Sequence, residues 1–137
     1  MSKQIDPALL PQLGFLFLTF GQVTDNHLDA EELKVIADRL RGWAPPGTPV
    51  KPLLADVVAE YRMYITEDER RLRASDCAHA LRDALDEAGR RQVVLDVVMI
   101  ARADGRISDG EIGFVSALTS IFGIQLNAEL ELRPRGA

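Results

Sequence analysis

Carboxylates recur at matched places in this chain, and carboxylate oxygens are the natural ligands of hard cations such as Ca²⁺ and Mg²⁺. Thr24-Asp25-Asn26-His27-Leu28-Asp29-Ala30-Glu31-Glu32-Leu33 aligns without gaps, at a constant offset, with Ala103-Asp104-Gly105-Arg106-Ile107-Ser108-Asp109-Gly110-Glu111-Ile112. Asp25 coincides with Asp104, and Glu32 with Glu111. The first stretch offers Asp25, Asp29 and Glu32 as metal ligands, with His27 nearby. The second carries Ser108 where Asp29 aligns, which leaves Asp104, Asp109 and Glu111. Neither is an EF-hand. Counted from Asp104, the third, fifth and sixth positions are Arg106, Ser108 and Asp109, and the twelfth is Val115 in place of a bidentate Glu. Counted from Asp25, the twelfth is Ile36.

Helix-turn chemistry accounts for much of the same pattern. Asn26 and Gly105 stand where a first helix should stop, and both residue types tolerate the left-handed conformation of a helix terminus. Leu28 and Ile107 tie each turn to the core. Asp29 and Ser108 are N-caps of a second helix, and Glu32 and Glu111 complete the reciprocal box. Asp25 and Asp104 need a further explanation. A carboxylate in the last turn of a helix is disfavoured by the macrodipole by roughly 0.3–1 kcal/mol. Either backbone N–H groups across the turn answer it, or a cation shared with Glu32 or Glu111 does.

The elements that must position these loops are all helical. Asp6-Pro7 opens a helix running from Ala8 to about Thr24, apolar nearly all round and therefore central. Asp29 opens a second, which carries Leu33, Ile36, Ala37 and Leu40 and ends near Gly42-Trp43. Ala44-Pro45-Pro46-Gly47-Thr48-Pro49 is a loop, and Val50 to Ile65 a third helix. Thr66 caps a fourth, expected to reach about Ala88, with Leu72, Ala74, Cys77, Ala78, Leu81, Ala84 and Leu85 inward. Its outer face pairs Glu67/Arg71, Glu69/Arg73, Asp86/Arg90 and Glu87/Arg91 in the acid-first i,i+4 order of a solvated surface. Gly89 marks a break, Val93 to Ala103 forms a fifth helix, and Ser108 opens a sixth ending at Gly123.

The expected fold is therefore all-α, a bundle of about six to seven helices in a single domain over 1–137. It contains two helix–loop–helix repeats, about 8–43 and 90–123, and a tail at 128–137. Outside the loops, Leu16 pairs with Leu95, Phe20 with Met99, Val35 with Phe114, Ile36 with Val115, and Trp43 with Phe122.

Composition removes several function classes. The 137 residues are 47% hydrophobic and 27% charged, ordinary for one globular domain with a proper core. A net charge of -5 argues against nucleic acid as partner, because neutralising phosphates needs a basic face. The single cysteine, Cys77, precludes an intrachain disulfide and reads as a small buried residue of a reducing compartment. The apolar stretch Phe15-Leu16-Phe17-Leu18 falls far short of the roughly 20 residues of a membrane span, and no leader pattern opens the chain. The expectation is a cytoplasmic protein without direct membrane insertion. No nucleophile–base pair, phosphate-cradling loop or Cys/His cluster is visible, so the chain reads as no enzyme.

Ile100-Ala101-Arg102-Ala103-Asp104-Gly105-Arg106-Ile107-Ser108-Asp109-Gly110-Glu111, followed by an apolar helix ending Ile121-Phe122-Gly123-Ile124, resembles the TerB-like (tellurite resistance protein TerB) family. That family's signature is an apolar helix, then Ala-x-Ala-Asp-Gly, an aliphatic residue, Ser or Asp, and a Glu three further on. The resemblance implies an all-helical fold with pseudo-twofold related helix pairs and a diverged first copy, here Thr24 to Leu33. It implies an association with tellurite and stress-response operons, and a related domain occurs in a membrane-anchored DnaJ-type co-chaperone. It further implies a protein-docking or cation-binding module with acidic positions at Asp25, Glu32, Asp104 and Glu111. Asn26 and His27 depart from the pattern. The leading expectation is a docking module for protein partners of unknown identity. The alternative is divalent-cation binding through the two acidic loops, with Ca²⁺ or Mg²⁺ as the only cofactor in view. A homodimer is compatible with either, and the sequence does not decide it.

Overall fold

Asp6 caps the first helical turn as its sequence predicts. Its Oδ1 accepts from the Ala8 N–H at 3.0 Å, and Pro7 supplies the preset φ of a first helical residue. In the computed structural model, which describes residues 5–22, 30–103 and 109–124, a 3-10 turn (Pro7–Leu9) leads into α1 (Leu10–Gln22). The remaining helices are α2 (Ala30–Arg41), α3 (Val50–Met63), α4 (Glu67–Ala84), α5 (Glu87–Ala103) and α6 (Asp109–Phe122). The described residues are all-α, and no strand occurs among them.

The all-round apolar character of α1 is answered by its position. Leu10, Leu13, Phe15, Leu16, Phe17, Leu18 and Phe20 are all buried, and α2, α3, α4 and α5 each pack against this helix. Its one buried hydroxyl, on Thr19, donates to the Phe15 carbonyl at 2.8 Å. A Cβ on Gly14 would lie 3.4 Å from both Leu40 Cδ1 and Val57 Cγ2, so a glycine lets α2 and α3 approach closely here. Trp43 closes α2 with its indole in the core, and its carbonyl accepts from the Ile5 N–H at 3.2 Å.

Three boundaries differ from expectation, and so do two facings, since Ala84, expected inward at the end of α4, is exposed, as is Leu72. The third helix stops at Met63, two residues early, where Tyr64 turns to extended backbone. The fourth ends at Ala84, and the fifth begins at Glu87 rather than Val93. Asp86 is the reason. Its Oδ1 accepts from the Gly89 N–H at 2.8 Å and its carbonyl accepts from the Arg90 N–H at 2.9 Å, an N-cap that outcompetes continuation of α4. Gly89 is then no terminator but the third residue of α5. A Cβ there would lie 3.2 Å from Asp86 Oδ1 and from Leu85 Cβ, so glycine makes room for the cap. Leu72, expected inward, is 71% exposed because it lies about 160–200° around α4 from buried Ala74 and Leu81.

The surface ion pairs divide accordingly. Glu67/Arg71 and Glu87/Arg91 close at 3.4 and 3.5 Å. Arg73 reaches instead to Glu60 of α3 at 2.8 Å, and Arg90 donates to the Arg82 carbonyl, stitching α5 to the end of α4.

The two expected copies correspond only in part. α1 packs on α2 and α5 on α6, and Ile36/Val115 and Trp43/Phe122 are buried in both. Leu16 and Phe20 are buried, whereas their counterparts Leu95 and Met99 are 38% and 44% exposed. The central position of α1 has no equivalent in α5.

Candidate functional site

Of the six acidic residues singled out, Asp25, Asp29 and Asp104 lie outside the described residues. Glu32 is half-buried in the first turn of α2. Asp109 and Glu111 both open α6, but Asp109 is exposed and Glu111 is only 3% exposed. Two residues apart on a helix is about 200° of rotation, so these two carboxylates diverge. Glu111 occupies the third residue of its helix, where backbone N–H groups and the macrodipole favour a carboxylate. Among the described residues no three His, Cys, Asp or Glu side chains converge as a metal-holding group.

The other reactive side chains have structural settings. Cys77 is fully buried, and burial pushes its thiol up to about 11, so it is no nucleophile near neutral pH. His79 is exposed and its Nδ1 lies 2.8 Å from the Ser75 carbonyl. His27 lies outside the described residues.

One constellation was not read from the sequence. Asp96, 1% exposed, takes a hydrogen bond from Trp43 Nε1 at 2.6 Å on Oδ2 and one from Gln92 Nε2 at 3.3 Å on Oδ1. Arg39 Nη1 stands 3.8 Å away. The signal was an isolated acid inside the apolar run Val93-Val94-Leu95-Asp96-Val97-Val98. This carboxylate holds the end of α2 against the middle of α5. With its donors so engaged it is a structural tie.

A concave surface among the described residues lies elsewhere. Between α4 and α6 runs a groove of about 400 Å³, walled by Ala74 and Ala78 on one side and by Gly113, Phe114, Ala117 and Ile121 on the other. Its lining is mostly apolar, with exposed Arg71 as its charged member. Small residues at i,i+3 and i,i+4 spacing on facing helices leave the space open. Buried Leu16 and Leu118 also line it, and Phe114 is in edge-to-face contact with Phe20 of α1 at 5.1 Å.

Set against known families, the family model for tellurite resistance protein TerB matches residues 23–131. The chain belongs to the TerB family. No curated protein and no solved structure matches it. The TerB match takes in α2 through α6, and with them both walls of the groove and both acidic loops. It also makes the domain a helical module of the tellurite resistance type. No helix among the described residues of this TerB domain is long and apolar enough to cross a membrane.

Proposed function

We propose that this TerB domain is a non-enzymatic docking module that holds a protein partner on its α4/α6 face, in a tellurite resistance or stress-response setting in the cytoplasm. The observation that carries this reading is the open apolar groove, whose lining of alanine, glycine and phenylalanine suits an apolar protein segment with an acidic residue near Arg71. Solvated apolar surface of this kind is the feature expected of a docking module. The test places a photo-crosslinking residue at Ala117 of the full chain, in cells that carry it. The captured protein is then purified and titrated against wild type and Gly113→Arg. An affinity loss of about tenfold or more, on the order of 1.4 kcal/mol, upholds the groove as the docking face. Equal affinities would remove it.

The alternative reading is divalent-cation binding through Asp25, Asp29 and Glu32 and through Asp104, Asp109 and Glu111. What favours it is burial of the Glu111 carboxylate beside the second acidic loop. An amide NMR titration with Ca²⁺ and with Mg²⁺ separates the readings. Saturable shifts confined to 24–33 and 103–112, and lost in Asp25→Asn and Asp104→Asn, support the cation. No shift at millimolar metal leaves these acids as helix caps.

A further inference from the structure

We propose that the α4/α6 groove takes residues 126–132 of the chain itself, so that a docking partner gains the groove by displacing them. This rests on the docking reading and names its regulation. Three observations carry it. The first is the direction in which the chain leaves α6. Gly123 adopts a φ of 67°, its N–H donates to the Ser120 carbonyl at 3.3 Å, and the Ile124 N–H donates to the Thr119 carbonyl at 3.2 Å. This reversed-turn cap swings the backbone off the helix axis and turns Ile124 inward, where it is 8% exposed. The chain thus reverses direction at the end of α6, three residues beyond Ile121 at the groove's end.

The second is the pattern that follows. Leu126, Ala128, Leu130 and Leu132 are apolar, and Gln125, Asn127, Glu129, Glu131 and Arg133 between them are polar. A strict period of two gives an extended segment one apolar edge and one polar edge. At about 3.3 Å per residue, the seven residues span roughly 20 Å. The groove follows α6 from Gly110 to Ile121, about 17 Å at 1.5 Å per residue. The lengths agree, and the reach from Ile124 is sufficient. Glu129 and Glu131 are opposite in charge to Arg71, the groove's exposed cation.

The third is the extent of the family match, which continues to residue 131. All but the last residue of the alternating segment therefore falls within the family match.

The experiment uses the full chain with a nitroxide on Glu131→Cys. Cys77 does not compete for the label, being buried with its thiol held protonated. The amides of Gly113, Ala117 and Ala78 are expected to lose their signals to paramagnetic broadening, while those of Asp38 and Lys51 persist. Adding Leu130→Asp should restore the lost signals; it alters only the segment and leaves the helical core untouched. Unaffected groove amides, or broadening centred on Leu95 and Met99, would overturn the proposal. So would broadening that arises only when spin-labelled chains are mixed with unlabelled isotope-enriched ones, since the segment would then be exchanged between copies. The outcome is independent of the crosslinking test. Intramolecular broadening without a captured partner keeps the segment in the groove and removes the docking reading, and a partner captured without broadening does the reverse.

Discussion

Trp43 and Asp96 show how one pair of side chains joins distant parts of the sequence. The indole N–H is a charge-assisted donor at 2.6 Å to a carboxylate that is almost fully buried. Hydrogen bonds to charged groups contribute about 1.5–3 kcal/mol, because the carboxylate has been withdrawn from water. Trp43→Phe keeps an aromatic ring in the core and removes that donor. Urea denaturation should show a loss of about 2–4 kcal/mol, the excess over the hydrogen bond coming from the smaller ring. An unchanged midpoint would mean that Gln92 and Arg39 already satisfy the acid. Cys77 makes the opposite kind of statement. Its thiol is raised from its ordinary 9.0 to about 11 by burial, so the folded chain holds a proton that the unfolded chain releases. Stability from this group is full below about pH 9 and is lost as pH rises toward 11, on the order of 2 kcal/mol. Cys77→Ala should flatten the stability profile across that window, measured as the denaturation midpoint at each pH. The residue-scale reading of Cys77 as a small buried side chain was available from its place in the helix. Asp96 was not, because nothing in a local window shows a donor that lies 53 residues away.

The helices themselves were largely legible, and for definite reasons. Asp6-Pro7 and Thr66 act as the caps their types and spacings predict, the latter accepting from the Glu69 N–H at 3.1 Å. Gly123 ends α6 in the left-handed conformation that glycine favours. The failure at Gly89 has the same physics as these successes. A glycine after a helical run suggests a terminator, but an aspartate three residues earlier claims its N–H, and the stronger local signal is the cap. Asp86→Ala removes that acceptor at an exposed site. It should cost about 1 kcal/mol, seen as a small shift in the denaturation midpoint and faster amide exchange in the first turn of α5. Gly123→Ala tests the other kind of end. The φ of 67° strains any L side chain, so a loss of about 1 kcal/mol is expected even though open space surrounds the Cβ. A neutral result there would show that the chain leaves α6 by another path. The groove between α4 and α6 was not legible at this scale. Ala74, Ala78, Gly113 and Ala117 read individually as good packing residues, and only the placement of the two helices leaves the space between them unfilled.

At the scale of the whole molecule, the organising fact is one apolar helix surrounded by the rest. α1 meets α2, α3, α4 and α5, while α6 reaches it through Phe114 against Phe20. A central element touched on every side couples the stability of its neighbours, since none can keep its buried face without it. Unfolding should therefore be a single transition. Trp43, the only tryptophan, reports on the α2–α5 tie by its fluorescence, and far-UV circular dichroism reports on all helices together. The two midpoints in urea should coincide for the wild type. Leu13→Ala then probes the centre, at a residue with no exposed surface. Removing its buried methyl groups should cost about 2–5 kcal/mol, moving both midpoints down together with an unchanged slope. A fluorescence midpoint that moved without the dichroism would divide the molecule into separately stable halves. That outcome would restore the two repeats as folding units, against the burial of α1 that distinguishes them.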